Sequence, residues 1–165
     1  MQTQNKYQVA FWKPYQGKGA AAIFERSQRD NECVVFLSLM PEGENNTFNS
    51  KAKITCKLGL ADFGEMLLVL RNIKNGVGPA DGDRFKGLFH NNPAGSTVIS
   101  FSRKDKGPGY YLQLSSKRDT EQNKLGLSIS EGEGEIIRLY LEDSVRAMFV
   151  DTFKPQPQQQ TAASA

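Results

Sequence analysis

Three lysines at positions 51, 53 and 57 share one parity of a stretch whose other parity is Ala52, Ile54, Cys56 and Leu58. Successive side chains of an extended chain point to opposite faces, so this pattern puts apolar groups inside and ammonium groups outside. Fixed cations on a sheet hold phosphates as flexible point charges but break no bonds by themselves. Over Tyr110 to Lys117, the residues Tyr110, Leu112 and Leu114 suit a core, and Tyr111, Gln113, Ser115 and Lys117 point the other way. The equivalent face of Cys33 to Met40 shows Val34, Phe36, Ser38 and Met40. An outward aromatic ring can stack any base, at roughly 1–3 kcal/mol per base. Hairpin turns add Arg103-Lys104-Asp105-Lys106 and Lys117-Arg118. Against this stands a plainer use of such lysines, which keep sheets soluble and blunt edge pairing. Phe24 and Phe101 lie on apolar alternations and read as core.

Bond-making chemistry finds little support. Gly17-Lys-Gly19 lacks the spacing of a phosphate-binding P-loop. His90 is the one histidine, and with only Cys33 and Cys56 it cannot build a conventional zinc site. Both cysteines sit among apolar or β-prone neighbours and read as buried reduced thiols. No cofactor or metal is expected, and the chain reads as non-enzymatic. No apolar run reaches membrane-spanning length. The 165 residues carry 21 Lys and Arg against 18 Asp and Glu, a net +3. That charge permits a polyanionic partner without demanding one. Distribution is more telling: Glu131, Glu133, Glu135, Glu142 and Asp143 crowd the C-terminal helix against only Arg138 and Arg146, while basic charge falls on the sheets.

The elements that must position these groups occur twice. Short β-prone runs are predicted at Lys6 to Lys13, Gly19 to Arg26, Cys33 to Met40 and Ala52 to Leu58. A helix follows over Ala61 to Lys74, with Phe63, Met66, Leu67, Leu70 and Ile73 at helical spacing. After a Gly/Pro-rich loop come Lys86 to His90, Thr97 to Arg103, Tyr110 to Lys117 and Lys124 to Ile129. A second helix, Glu135 to Val150, carries Ile137, Tyr140, Leu141, Ser144, Val145, Met148 and Phe149 on one stripe. Ser130 and Glu133 have capping-box spacing, although Gly132 and Gly134 predict a ragged start. Lys57-Leu-Gly-Leu60 and Lys124-Leu-Gly-Leu127 each precede a helix, Ile23-Phe24-Glu25-Arg26 pairs with Ser100-Phe101-Ser102-Arg103, and Leu37 falls where Leu114 falls. The chain therefore reads as α+β: a tandem ββββα-ββββα repeat with two four-stranded antiparallel β-sheets and two helices. One domain is expected over 1–153, with repeats at about 6–74 and 86–150 and a linker at 75–85. A disordered Gln/Ala-rich tail is expected at 154–165.

Tyr15-Gln-Gly-Lys18-Gly-Ala-Ala-Ala resembles the Tyr-Lys-Gly-Lys-Ala-Ala-Leu-Ser signature of the Whirly single-stranded DNA-binding proteins, at the entrance to the second strand. Phe89-His90 before an Asn-Pro turn and Gly109-Tyr-Tyr-Leu-Gln-Leu-Ser115 resemble further family patterns. The likeness runs from about Tyr7 to Phe153. It implies a homotetramer packed through its helices, with single-stranded DNA running along and between sheets largely without sequence preference. Tyr15, Gly17 and Lys18 match the signature; Gly19 replaces its first alanine, and Ala21-Ala22 stand where Leu-Ser would be. The organelle-targeting extension of plant members is not seen, so the expected location is the cytoplasm of a prokaryote, or of a host cell for a phage protein.

The expected contacts are Trp12, Tyr15, Lys18, Arg26, Phe36, Lys51, Lys53, Lys57, Arg103, Lys104, Tyr111 and Lys117. The expected role lies in DNA replication, recombination or repair. A single-stranded RNA-binding or RNA-chaperone module is the main rival, since kinetoplastid guide-RNA-binding proteins resemble the same repeat architecture. A transcription-associated interaction protein, using the acidic helix or the tail to recruit a protein partner, is the third reading.

Overall fold

The computed structural model describes residues 7–29, 32–78, 80–81, 84–85 and 87–152. Lys6, Lys86, Phe153 and the tail expected at 154–165 lie outside the described residues. Strands β1 (Tyr7–Lys13), β2 (Ala20–Arg29), β3 (Glu32–Pro41) and β4 (Ile54–Leu58) form sheet 1 in that order, followed by α1 (Leu60–Leu70). A two-stranded ribbon, β5 (Ala80–Asp81) with β6 (Arg84–Phe85), leads to the second repeat. There β7 (Leu88–Asn92), β8 (Gly95–Arg103), β9 (Tyr110–Arg118) and β10 (Glu121–Ile129) form sheet 2, and α2 (Glu131–Thr152) closes the chain. Neighbouring strands pair antiparallel throughout. The tandem ββββα order read from the sequence is the architecture.

Alternation sets which face each sheet buries. On sheet 1, Phe11, Ala22, Leu39 and Ile54 align across the strands, as do Phe24, Leu37 and Cys56. On sheet 2, Ile99 and Leu114 align, as do Phe101, Leu112 and Leu127. These rows join α1 and α2 residues, including Phe63, Met66, Ile137 and Leu141, in one core drawn from both repeats. Each large side chain removed from water there contributes roughly 1.5–3 kcal/mol. Strand β10 lies against β2 and β3, so it is the seam between the sheets.

Several local expectations are corrected. Lys51 and Ala52 do not extend β4; they belong to a short 3-10 turn over Ser50–Ala52, capped by Asn49, whose Oδ1 accepts the Lys51 N–H at 3.0 Å. Strict alternation starts at Ile54. Helix α1 ends at Leu70, short of Lys74, because Asn72 enters the left-handed region at φ 61°. Ile73 N–H then donates to Leu68 O at 2.9 Å and Asn72 N–H to Val69 O at 3.0 Å, a Schellman closure. This leaves Ile73 exposed. The linker is not only a loop: Val77 is buried, its N–H donates to Phe101 O at 2.9 Å, and Arg103 N–H donates to Asn75 O at 2.8 Å.

Helix α2 begins at Glu131, four residues before the expected start. Its capping box is made: Glu133 N–H donates to Ser130 Oγ at 3.2 Å, and Ser130 N–H donates to Glu133 Oε2 at 2.8 Å. Gly134 does not fray the helix either. A Cβ there would sit 2.4 Å from the Tyr110 ring, so its absence lets α2 lie on Tyr110, which stacks on Phe101 at 5.4 Å. Phe149, expected on the buried stripe, is exposed.

Neither cysteine is in a disulfide; Cys56 is buried and Cys33 half-buried. Burial, with the Asp62 carboxylate adding to it, pushes the Cys56 thiol up to about 11. At pH 8 its thiolate fraction is then about one in a thousand, which makes it a poor nucleophile. A maleimide titration of the native protein should therefore modify Cys33 alone, with Cys56 reacting only in denaturant. Rapid labelling of both native thiols would contradict this burial.

Candidate nucleic-acid interface

The turn that carries Tyr15 and Lys18 closes with Lys18 N–H donating to Tyr15 O at 2.8 Å. Gln16 and Gly17 both have positive φ, 48° and 77°, the pattern of the type I′ hairpin turn. Gly19 follows where a Cβ would meet Lys13 O at 2.0 Å, which is why this chain has glycine where the resembling signature has alanine. The turn lifts Tyr15, 68% exposed, and Lys18 off the end of sheet 1.

Facing that turn is the second repeat. A cleft of about 870 Å³ is lined by Tyr15, Lys18, Lys104, Lys106, Tyr111 and Ser128, among others. It thus unites four of the residues singled out in the sequence, from both repeats, around the C-terminal end of β10. Tyr111 crosses β10 at Gly126, where a Cβ would lie 2.4 Å from its hydroxyl. Because Gly126 has no side chain, the ring can lie over the strand as a platform. Among the described residues, Lys18, Lys104 and Lys106 have no ion pair.

The opposite end of β10 meets a second crevice of about 300 Å³. Lys51 and Lys53 approach from sheet 1 and Arg118 and Lys124 from sheet 2, with Glu121 the one acid among the lining residues. Sequence reading missed Arg118 and Lys124 as partners of the two lysines, because the approach is across repeats. The 3-10 turn does not remove Lys51 from this edge.

The remaining candidates divide by face. Trp12, Phe36 and Lys57 lie on the outer face of sheet 1, where Phe36 is the register partner of Lys57. Trp12 is exposed but leans on Phe48, with ring centroids 5.1 Å apart. Lys117 is exposed on the outer face of sheet 2, opposite Ser96 and Gln122. Arg26 and Arg103 are not brought to either cleft. Arg26 lies on the helix side, its Nη1 2.7 Å from Asp143 Oδ2 and its guanidinium over the Tyr7 ring. Arg103 stacks over Tyr110 and reaches Glu131 at 3.7 Å.

These pairs revise the charge map. The α2 carboxylates, read as a solvated acidic run, are largely partnered: Glu133 with Lys13, Glu135 with Arg138, and Glu142 with both Arg71 and Arg138. Burial pushes the Glu133 carboxyl up, but the Lys13 ammonium and the Ser130 amide and hydroxyl outweigh it, holding the group below its usual range. Acid on the helix thus fastens it to cations, three of them from the sheets. Among the described residues, Lys18, Lys104 and Lys106 at one end of β10, and Lys51, Lys53, Arg118 and Lys124 at the other, are not drawn into these pairs.

His90 Nε2 lies 3.1 Å from Asp62 Oδ1, and the other Asp62 oxygen accepts the Gly59 N–H at 2.7 Å. The histidine therefore ties β7 to the start of α1. Among the described residues, no group of three or more His, Cys, Asp or Glu could hold a metal ion, and no helix is long and apolar enough to cross a membrane.

Compared with known proteins, the chain matches no family model and no curated protein sequence. Solved structures do match. WHY3 from Arabidopsis thaliana superposes with a TM-score of 0.68 at 12% identity, over 88% of this chain and 90% of that one. This chain has the Whirly fold. The plant transcriptional regulator PBF-2 matches with a TM-score of 0.63 at 16% identity, over 95% of this chain and 91% of that one. A guide-RNA-binding protein, solved in complex with its guide RNA, matches at 0.58 and 15% identity, over 88% and 92%. The Whirly fold thus sets the two clefts of this chain at the ends of β10, where sheet 2 meets sheet 1.

Proposed function

We propose that this protein binds single-stranded DNA, largely without regard to sequence and without catalysis, in replication, recombination or repair. The observation that carries the reading is the cleft that joins Tyr15 and Lys18 of one repeat to Lys104 and Tyr111 of the other. Unpaired ammonium groups beside open aromatic rings suit a flexible polyanion whose bases can stack. A bound strand follows β10 from this cleft to the crevice of Lys51, Lys53, Arg118 and Lys124. The 9 residues of β10 span roughly 30 Å, room for about nine nucleotides at stacked spacing. Duplex DNA is too stiff to offer unstacked bases to Tyr111. The exposed Ile136, Leu139 and Phe149 of α2 support assembly through the helices, as a homotetramer.

Fluorescence anisotropy with labelled single-stranded DNA, duplex DNA and single-stranded RNA, across a salt series, tests the reading. Single strands should bind best, with log affinity falling linearly against log salt. Equal binding to all three, or none at low salt, would overturn it. RNA is the second reading, favoured by the fold shared with the guide-RNA-binding protein; tighter binding of RNA than of DNA would select it.

A further inference from the structure

A carboxylate lies beneath the hairpin turn, bonded to the backbone on both of its flanks. Glu42 follows Pro41 at the end of β3 and is 7% exposed. Its Oε2 accepts the Tyr15 N–H at 2.7 Å and the Gly19 N–H at 2.8 Å, while its own N–H donates to Gly19 O at 2.8 Å. A single oxygen therefore holds both flanks of the turn that presents Tyr15 and Lys18. Space is tight around it: a Cβ on Gly19 would lie 2.7 Å from that same oxygen.

A buried carboxylate persists only where donors replace its water. Here they do. The Tyr15 amide leads in holding the Glu42 carboxyl below its usual range; burial opposes it, and the Gly19 and Gly17 amides add to it. Hydrogen bonds to an ionised acceptor are about twice as strong as neutral ones, so the charge itself stiffens the turn. The carboxylate is not among the residues that line the cleft; it lines a separate hollow with Gln16, Gly17 and Glu44.

We infer that Glu42 is a positioning residue for nucleic-acid binding, an internal anion that sets the turn so that Tyr15 and Lys18 project into the cleft. This rests on the binding reading above. Its signature is energetic coupling to Lys18, which a merely structural carboxylate would not show.

The test uses Glu42→Gln, Lys18→Ala and their combination, with Gly19→Ala as a second disruption that keeps the carboxylate. Amide proton shifts and exchange rates of Tyr15 and Gly19 are measured by NMR, and binding of labelled oligo(dT) by anisotropy. Glu42→Gln should move both amide signals upfield and speed their exchange. Affinity should fall about tenfold in each single variant, and the double variant should be no weaker than the worse single. Gly19→Ala should reproduce the loss, and it decides the matter if Glu42→Gln does not fold. Additive losses, or wild-type affinity in folded Glu42→Gln and Gly19→Ala, would overturn the inference and leave the binding reading intact. If the wild type binds no strand, that reading fails, and unchanged Tyr15 and Gly19 amides in Glu42→Gln then sink the clamp as well.

Discussion

Tyr111→Ala should weaken single-stranded DNA binding by roughly 5- to 150-fold while leaving the fold intact, the range set by about 1–3 kcal/mol for one stacked base. Its ring lies on the outer face of sheet 2 at 42% exposure, with Gly126 beneath it, so removing it opens no core cavity. Lys18→Glu should act differently. Reversing an exposed charge should flatten the plot of log affinity against log salt by about one unit or more, whatever the sequence of the strand. Gly126→Val would then separate platform from hydroxyl chemistry: tyrosine stays, but its ring is pushed off the strand, and affinity should fall as in Tyr111→Ala. Anisotropy on the variants, with circular dichroism to confirm folding, checks each result. Unchanged affinity in both Tyr111→Ala and Lys18→Glu would remove the cleft from the binding surface.

Gly134→Ala should destabilise the protein by about 1–3 kcal/mol, although the same change in an open helix stabilises by up to about 1 kcal/mol. The inversion follows from the Tyr110 ring, which lies where the new methyl would go and is itself wedged against Phe101. Gly132 is the control, because a Cβ there meets nothing within 4 Å. Gly132→Ala should raise the melting temperature slightly, while Gly134→Ala should lower it by roughly 2–12 °C. Calorimetry on the pair decides. Stabilisation by both would mean that α2 does not rest on Tyr110 in solution.

The fold was legible because alternation is local. Ile54, Cys56 and Leu58 against Thr55 and Lys57 are a two-residue period that any register must respect, and the structure buries and exposes them in turn. Repetition added the order of elements. Boundaries failed where a single residue intervened, Asn49 by its side chain before β4 and Asn72 by its left-handed backbone after α1. The interface was only half legible. Tyr15, Lys18, Lys104 and Tyr111 could be singled out one by one, but no local pattern says that a turn of the first repeat meets a strand of the second. Arg26 and Arg103 show the opposite failure. They were counted with the basic sheets, yet Asp143 and Glu131 of α2 lie close enough to pair with them. Glu42 was invisible, an acid after a proline whose partners are backbone amides, which carry no letter in a sequence.

Strand β10 lies against β2 and β3 of sheet 1, with a cleft at each of its ends. Neither ββββα half carries a complete cleft, for each is walled on one side by the other half. The duplicated halves are similar in plan but no longer interchangeable in duty. A mutation that shifts β10 by a fraction of a strand width reshapes both ends together, so the two clefts must evolve as one inherited trait, and separately expressed halves would hold neither.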